Sequence, residues 1–188
     1  VLYGTMDADK ISRNVAECIY TGIIHDTGVF KYSCTSKKTM EIAGEMMEKG
    51  IDYSDIIDNT FYKKTYVQNQ ILGRALLESV LFYDGKCIFT TVTIDEMEFY
   101  GVTGRELGGI VEQLRLTDGV EVAIFLYQTG EEEYKVSLRS KKKIDVAAIA
   151  TQFGGGGHVR AAGYTAKGSV YQIINSIGEL IEKQYNAM

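Results

Sequence analysis

Gly154-Gly155-Gly156-Gly157-His158-Val159-Arg160-Ala161-Ala162-Gly163 is the stretch around which the rest of the chain organises itself. Four glycines in a row arise by chance about once in 40,000 positions at background glycine frequency. Each also surrenders more backbone entropy on folding than any other residue. A plain turn needs one or two glycines, so it accounts poorly for four. The benefit of the run is access: without Cβ atoms, backbone N–H groups can converge on an anion. A helix N-terminus just beyond would add a favourable partial charge. His158 comes directly after and can donate to a phosphate oxygen or shuttle a proton.

Just upstream, residues 134–139 alternate, with Tyr134, Val136 and Leu138 on one face and Lys135, Ser137 and Arg139 on the other. This is the pattern of a half-buried antiparallel strand. Ser137 and Arg139 then stand side by side on the polar face. A guanidinium fork matches phosphate, and a serine hydroxyl can satisfy a further oxygen. Alone this would be an ordinary solvated strand face; its place shortly before the glycine run gives it weight.

Outward from this centre the chain divides by character. Residues 11–27, 38–49, 52–59 and 64–79 carry apolar residues at helical spacing, with Asp7 or Asp9 as the expected cap of the first helix and Gly28 as its stop. From about residue 81 the pattern turns mixed. Two β-rich runs, 81–83 and 87–94, flank the hairpin signal Asp84-Gly85-Lys86. Next come a helix over 104–114, strands over 120–128 and 134–139, a helix over 146–153, a brief strand after Gly163 and a helix over 169–183. No internal repeat, low-complexity segment or flexible linker interrupts them, so the spacing predicts a semi-rigid hinge near residues 60–82.

The bulk numbers confine what the chain can bind. With 45% hydrophobic residues over 188, it can bury a core without staples. Its net charge of −5 excludes broad electrostatic coating of nucleic acid. Residues 1–60 hold 6 Lys+Arg against 10 Asp+Glu and residues 61–188 hold 14 against 15, so phosphate affinity must be local. The run Arg139-Ser140-Lys141-Lys142-Lys143 is its obvious source. Cys18, Cys34 and Cys87 lack C-x-x-C spacing and cannot all pair, which reads as reduced thiols in a cytoplasmic protein. No apolar run has the length of a membrane span.

A third motif is Thr21-Gly22-Ile23-Ile24-His25-Asp26-Thr27-Gly28-Val29-Phe30. Asp26 could serve the turn or ligate a metal. A two-metal hydrolytic centre needs several carboxylates or imidazoles, and the chain has 2 histidines, so Asp26 alone cannot form one.

Together these stretches resemble a known family. The segment from Gly154 to Gly163 is similar to the GGGGHxxAAG motif of the DHH-associated domain of DHH-family phosphoesterases. Val136-Ser137-Leu138-Arg139-Ser140 and Asp145-Val146-Ala147-Ala148-Ile149-Ala150 resemble the segment leading into it. Residues 20–33 resemble the last motif of the DHH domain itself. The subgroup most alike is the NrnA-like enzymes, which degrade oligoribonucleotides and dephosphorylate 3′-phosphoadenosine 5′-phosphate. The resemblance implies an α/β fold: a helical C-terminal remnant of the DHH domain (residues 1–62), a connector helix (63–81) and a mixed-sheet DHH-associated domain (82–188).

By the same resemblance, Gly155, Gly156, Gly157 and His158 hold a substrate phosphate, with His158 in the catalytic position. Ser137, Arg139 and, by a weaker match, Arg115 bind substrate, and Asp26 ligates manganese of a two-metal centre. Neither the D-x-D motif nor the DHH triplet is found; Asp7-Ala8-Asp9 has the spacing but reads as a helix start. The expectation is therefore a C-terminal piece of a longer protein, inactive alone, with its manganese site incomplete. Its expected partners are a short oligonucleotide or phosphonucleotide, the missing N-terminal DHH portion, and a second copy if it forms a homodimer. A cyclic-dinucleotide phosphodiesterase and a non-catalytic nucleotide-binding module are the alternatives.

Overall fold

The computed structural model describes residues 10–187, in two compact units, one ending at Lys64 and one beginning at Thr65. In the first, helix α1 (Arg13–Thr27) is capped by Ser12, whose hydroxyl accepts from the Val15 N–H at 3.5 Å. Asp7 and Asp9, expected in that role, lie outside the described residues. Ala16, Tyr20 and Ile24 recur every fourth residue, so they share one face. That face packs on Ala43 and Met46 of α2 (Lys37–Glu48) and on Ile51. Helix α3 (Tyr53–Ile57), capped by Asp52, runs on into a π-helical turn, Asp58–Tyr62.

The second unit is a six-stranded mixed sheet. Its strands are β1 (Val80–Phe82), β2 (Cys87–Val92), β3 (Val122–Gly130), β4 (Glu133–Ser140), β5 (Gly156–His158) and β6 (Ala161–Lys167), in spatial order β1-β2-β3-β4-β6-β5. Among these strands only β2 and β3 run parallel, joined through α5 (Ile94–Tyr100) and α6 (Ile110–Arg115). The Asp84-Gly85 hairpin is present: Tyr83 and Asp84 take positive φ, and Phe82 pairs with Cys87.

Strand alternation sets the layers. Val122, Ile124, Leu126, Val136, Leu138, Ala162 and Tyr164 point to one face, under α7 (Val146–Gln152) and α8 (Val170–Asn186). Ile88, Val92, Ala123 and Phe125 point to the other, under α4 (Tyr66–Leu77), α5 and α6. Helix α4 thus buries Ile71 and Ala75 in the second unit. Gln184 of α8 clamps Asp145, giving to its carbonyl at 3.0 Å and accepting from its N–H at 2.8 Å.

Three expectations change. The strand expected over 87–94 stops at Val92, because Thr93 and Glu96 form a capping box that starts α5. The helix expected over 104–114 shrinks to Ile110–Arg115, its first half broken by Gly104, Gly108 and Gly109. The glycine run is partly strand and leads into β6, so the helix N-terminus expected just beyond it is replaced by a second strand. Among the described residues, no helix is long and apolar enough to cross a membrane.

Cys87 lies in the sheet core, and burial, with the Glu121 charge as a lesser contribution, pushes its thiol up to about 12. A thiol reagent at pH 8 should therefore label exposed Cys18 and Cys34 and spare Cys87 until the chain unfolds. Mass spectrometry that finds Cys87 labelled as fast as the others under native conditions would contradict this packing.

Candidate functional site

On their side of the sheet, helices α4–α6 pack on β2 and β3, and α6 reaches one end of β4, where Glu112 meets Arg139. Beyond α6 the same face of β6, β5 and the rest of β4 carries no helix, and the pairing register says which residues lie there. Ser137 pairs with Gly163 and Gly163 with Gly156; Arg139 pairs with Ala161 and Ala161 with His158. Directly paired residues share a face. Two rows therefore cross the sheet, Gly156–Gly163–Ser137 and His158–Ala161–Arg139. The middle strand contributes only a hydrogen and a methyl, which makes a trough with α6 beside one wall and β5 as the other. Strand spacing puts the Cα atoms of Arg139 and His158 roughly 10 Å apart across it.

The four glycines have separate reasons. Gly154 ends α7 in a Schellman motif: its φ is +76°, its N–H reaches Thr151 O at 3.1 Å, and the Gly155 N–H reaches Ala150 O at 2.9 Å. A Cβ on Gly155 would stand 2.3 Å from the Gly163 carbonyl oxygen, and one on Gly157 2.4 Å from that of Ala161. These two let β5 press against β6. Gly156 has neither a left-handed φ nor any atom within 4 Å of a Cβ built on it. The fold does not require glycine there; the position opens onto the uncovered sheet face. Because β5 is an edge strand, part of its N–H groups also point away from the sheet.

On the opposite wall, the structure joins two residues that the sequence left apart. Glu112 of α6 accepts from Arg139 Nε at 2.5 Å through Oε1 and from Arg115 Nε at 3.2 Å through Oε2. Arg139 Nη1 also donates to its own Leu138 carbonyl at 3.0 Å. All three side chains are partly buried. The i, i+3 spacing of Glu112 and Arg115 is a readable helix pair, but its link to Arg139 is a tertiary contact that no local pattern announces.

The lysine run does less than its charge suggests. Lys141 Nζ donates to Thr117 O at 2.9 Å, and Lys143 lies over the Tyr185 ring at 6.0 Å. The N–H groups of Lys142, Lys143 and Ile144 converge on Glu121 Oε1 at 2.8, 2.5 and 3.2 Å. The run closes a chain corner around a carboxylate, and the cations on the open face are Arg139, with Arg115 beside it, and the exposed Lys135.

Asp26 sits in the first unit, exposed in the last turn of α1. The turn after it is unusual: Gly28, Val29 and Phe30 all have positive φ, at 58°, 53° and 64°. Such a run costs energy at the β-branched Val29. It is held by the Val29 N–H to Ile24 O at 2.7 Å and the Tyr32 N–H to Thr27 O at 2.8 Å. Thr27 and Gly28 thus stop the helix, and the Asp26 carboxylate is not the cap. Among the described residues no group of three or more His, Cys, Asp or Glu could hold a metal ion, so the donors present do not fit a two-metal centre.

The DHHA1 domain model matches residues 84–184, from the turn before β2 through most of α8; it takes in every strand but β1 and every residue of the trough. This chain belongs to the DHHA1-domain family. It is a DHH-family, NrnA-like protein: it is 33% identical over 84% of its length to the bifunctional oligoribonuclease and PAP phosphatase NrnA of Thermus thermophilus, covering 46% of that protein. The corresponding Bacillus subtilis protein is 27% identical over 82% of this chain and is covered to 48%. An exopolyphosphatase-related protein from Bacteroides fragilis superposes with a TM-score of 0.87 at 28% identity, over 94% of this chain and 52% of its own. The chain spans about half the length of the curated relatives it matches.

The glycine geometry gives a paired test. Gly157→Ala should lower the unfolding midpoint by several degrees, because strain and clash together cost on the order of 2 kcal/mol. Gly156→Ala should leave the midpoint unchanged or raise it slightly, yet weaken anion binding measured by calorimetry. Equal behaviour of the two variants in both measurements would show that Gly156 is as structural as its neighbour.

Proposed function

We propose that this chain is the substrate-holding part of a phosphoesterase acting on short oligoribonucleotides, on 3′-phosphoadenosine 5′-phosphate, or on both. The observation that carries the reading is the trough: a floor stripped of side chains at Gly156, Gly163 and Ala161, between a paired-arginine wall and exposed His158. A phosphate there meets backbone closely on one side and guanidinium donors on the other. Ser137 adds a hydroxyl to the same row, and the His158 imidazole stands where it can donate a proton to a phosphate oxygen. The Thermus and Bacillus relatives, each named a bifunctional oligoribonuclease and PAP phosphatase, support the same substrate classes.

The acidic balance of the chain favours short substrates gripped locally over long strands tracked by charge. Asp26 is one carboxylate, too few for a hydrolytic metal pair. The reading therefore gives this chain the holding and orienting of substrate. Manganese-dependent cleavage, with Asp26 as one ligand, is assigned to the longer protein, and the exposed free thiols suit a reducing cytoplasm.

Calorimetry with 3′-phosphoadenosine 5′-phosphate should detect binding to this chain and a loss of roughly tenfold or more in an Arg139→Ala variant. Equal affinity in both would remove Arg139 from the site. The longer protein with manganese should release mononucleotides from a dinucleotide, and inertness towards both substrates would end the reading.

A further inference from the structure

We infer that Glu112 is a positioning residue that brackets Arg115 and Arg139 into one anion-gripping unit and leaves Nη2 of Arg139 and the Nη pair of Arg115 to the substrate phosphate. This rests on reading the trough as the nucleotide site. The geometry is specific about which donors the carboxylate uses. Glu112 lies between the two guanidinium groups and takes the Nε of each, one on each oxygen, at 2.5 and 3.2 Å. Arg139 Nη1 is turned back to the Leu138 carbonyl. What remains is Nη2 of Arg139 and the end-on pair Nη1 and Nη2 of Arg115, the pair that grips an anion bidentately.

Two arginines side by side repel each other and, unrestrained, would spread over many rotamers. One shared carboxylate cancels part of that repulsion and fixes both planes, while the cluster keeps a formal charge of +1 for an incoming anion. Preorganised forks lose less freedom when a phosphate arrives. A competing role for Glu112 is a plug that mimics the substrate phosphate and must be displaced by it. A plug would occupy the outward Nη pair of a fork; Glu112 instead takes the inner Nε of both. The partial burial of all three side chains, 19% exposed for Arg115, 27% for Arg139 and 37% for Glu112, keeps the bracket from being an ordinary solvated ion pair.

The two roles predict opposite signs. Side-chain nuclear magnetic resonance on the 15N-arginine-labelled chain, with assignments from Arg115→Lys and Arg139→Lys, should show both Nε–H signals moving together in Glu112→Ala while the backbone amide spectrum beyond the trough stays unchanged. Inorganic phosphate and 3′-phosphoadenosine 5′-phosphate should bind Glu112→Ala more weakly, by roughly tenfold. Glu112→Asp, too short to span both groups, should not restore binding. Tighter or unchanged binding in Glu112→Ala would overturn the bracket, as would a shift confined to one arginine. If both signals move together but the parent chain binds neither phosphate nor nucleotide, the bracket is supported and the nucleotide reading of the trough falls.

Discussion

Strand β5 can lie against β6 only because two backbones meet there without Cβ atoms between them. A side chain on Gly155 or Gly157 would have to share space with the carbonyl of Gly163 or Ala161. Much else depends on that contact. It places His158 in register with Ala161 and, one strand further, with Arg139. It leaves Gly156 facing outward over an unoccupied surface. It also draws the turn at Val159 and Arg160 onto the corner after β4: the Ser140 N–H reaches Arg160 O at 3.1 Å and the Val146 N–H reaches Val159 O at 3.0 Å. The four glycines of the motif thus divide into a helix stop, two contact points and one opening, a finer division than a single phosphate loop.

Much of this architecture could be read from local pattern. Strand β4 was legible because its alternation is strict, and the hairpin before β2 because Asp-Gly suits the positive φ that the turn needs. Helices α1, α2, α4 and α8 showed their apolar spacing plainly. Failures came where two signals competed. The Thr93–Glu96 capping box comes directly after a β-rich run, and the run's hydrophobicity hid the helix start. Between residues 104 and 109 the apolar spacing persisted while three glycines dissolved the helix. The glycine run read as a loop because propensity disfavours strand there, yet pairing with β6 overrode propensity.

The site was legible in its parts and not in its assembly. Ser137, Arg139 and the glycine–histidine motif could be named because strand period and motif are local facts. Glu112 could not, since its importance arises from a partner 27 residues away. The lysine run shows the opposite error. Formal charge is visible in sequence, but whether a cation faces a ligand or props up a corner depends on where the chain turns. Here Glu121 gathers the backbone of that corner, and Lys141 serves a carbonyl. The expectation of local phosphate affinity therefore passes from the lysine run to guanidinium groups that a carboxylate already holds in place.

The sheet passes from three layers to two across β4, beyond which α6 gives no cover. An uncovered sheet face is ordinarily a liability, because apolar side chains left in water invite a second copy to cover them. This one presents Gly156, Gly163, Ala161, Ser137, Thr165, Lys135 and Arg139, none of them a large apolar side chain. The small residues that leave the backbone accessible also leave little for another protein surface to adhere to. Such a face can stay wetted, and it offers little apolar surface through which a second copy could adhere.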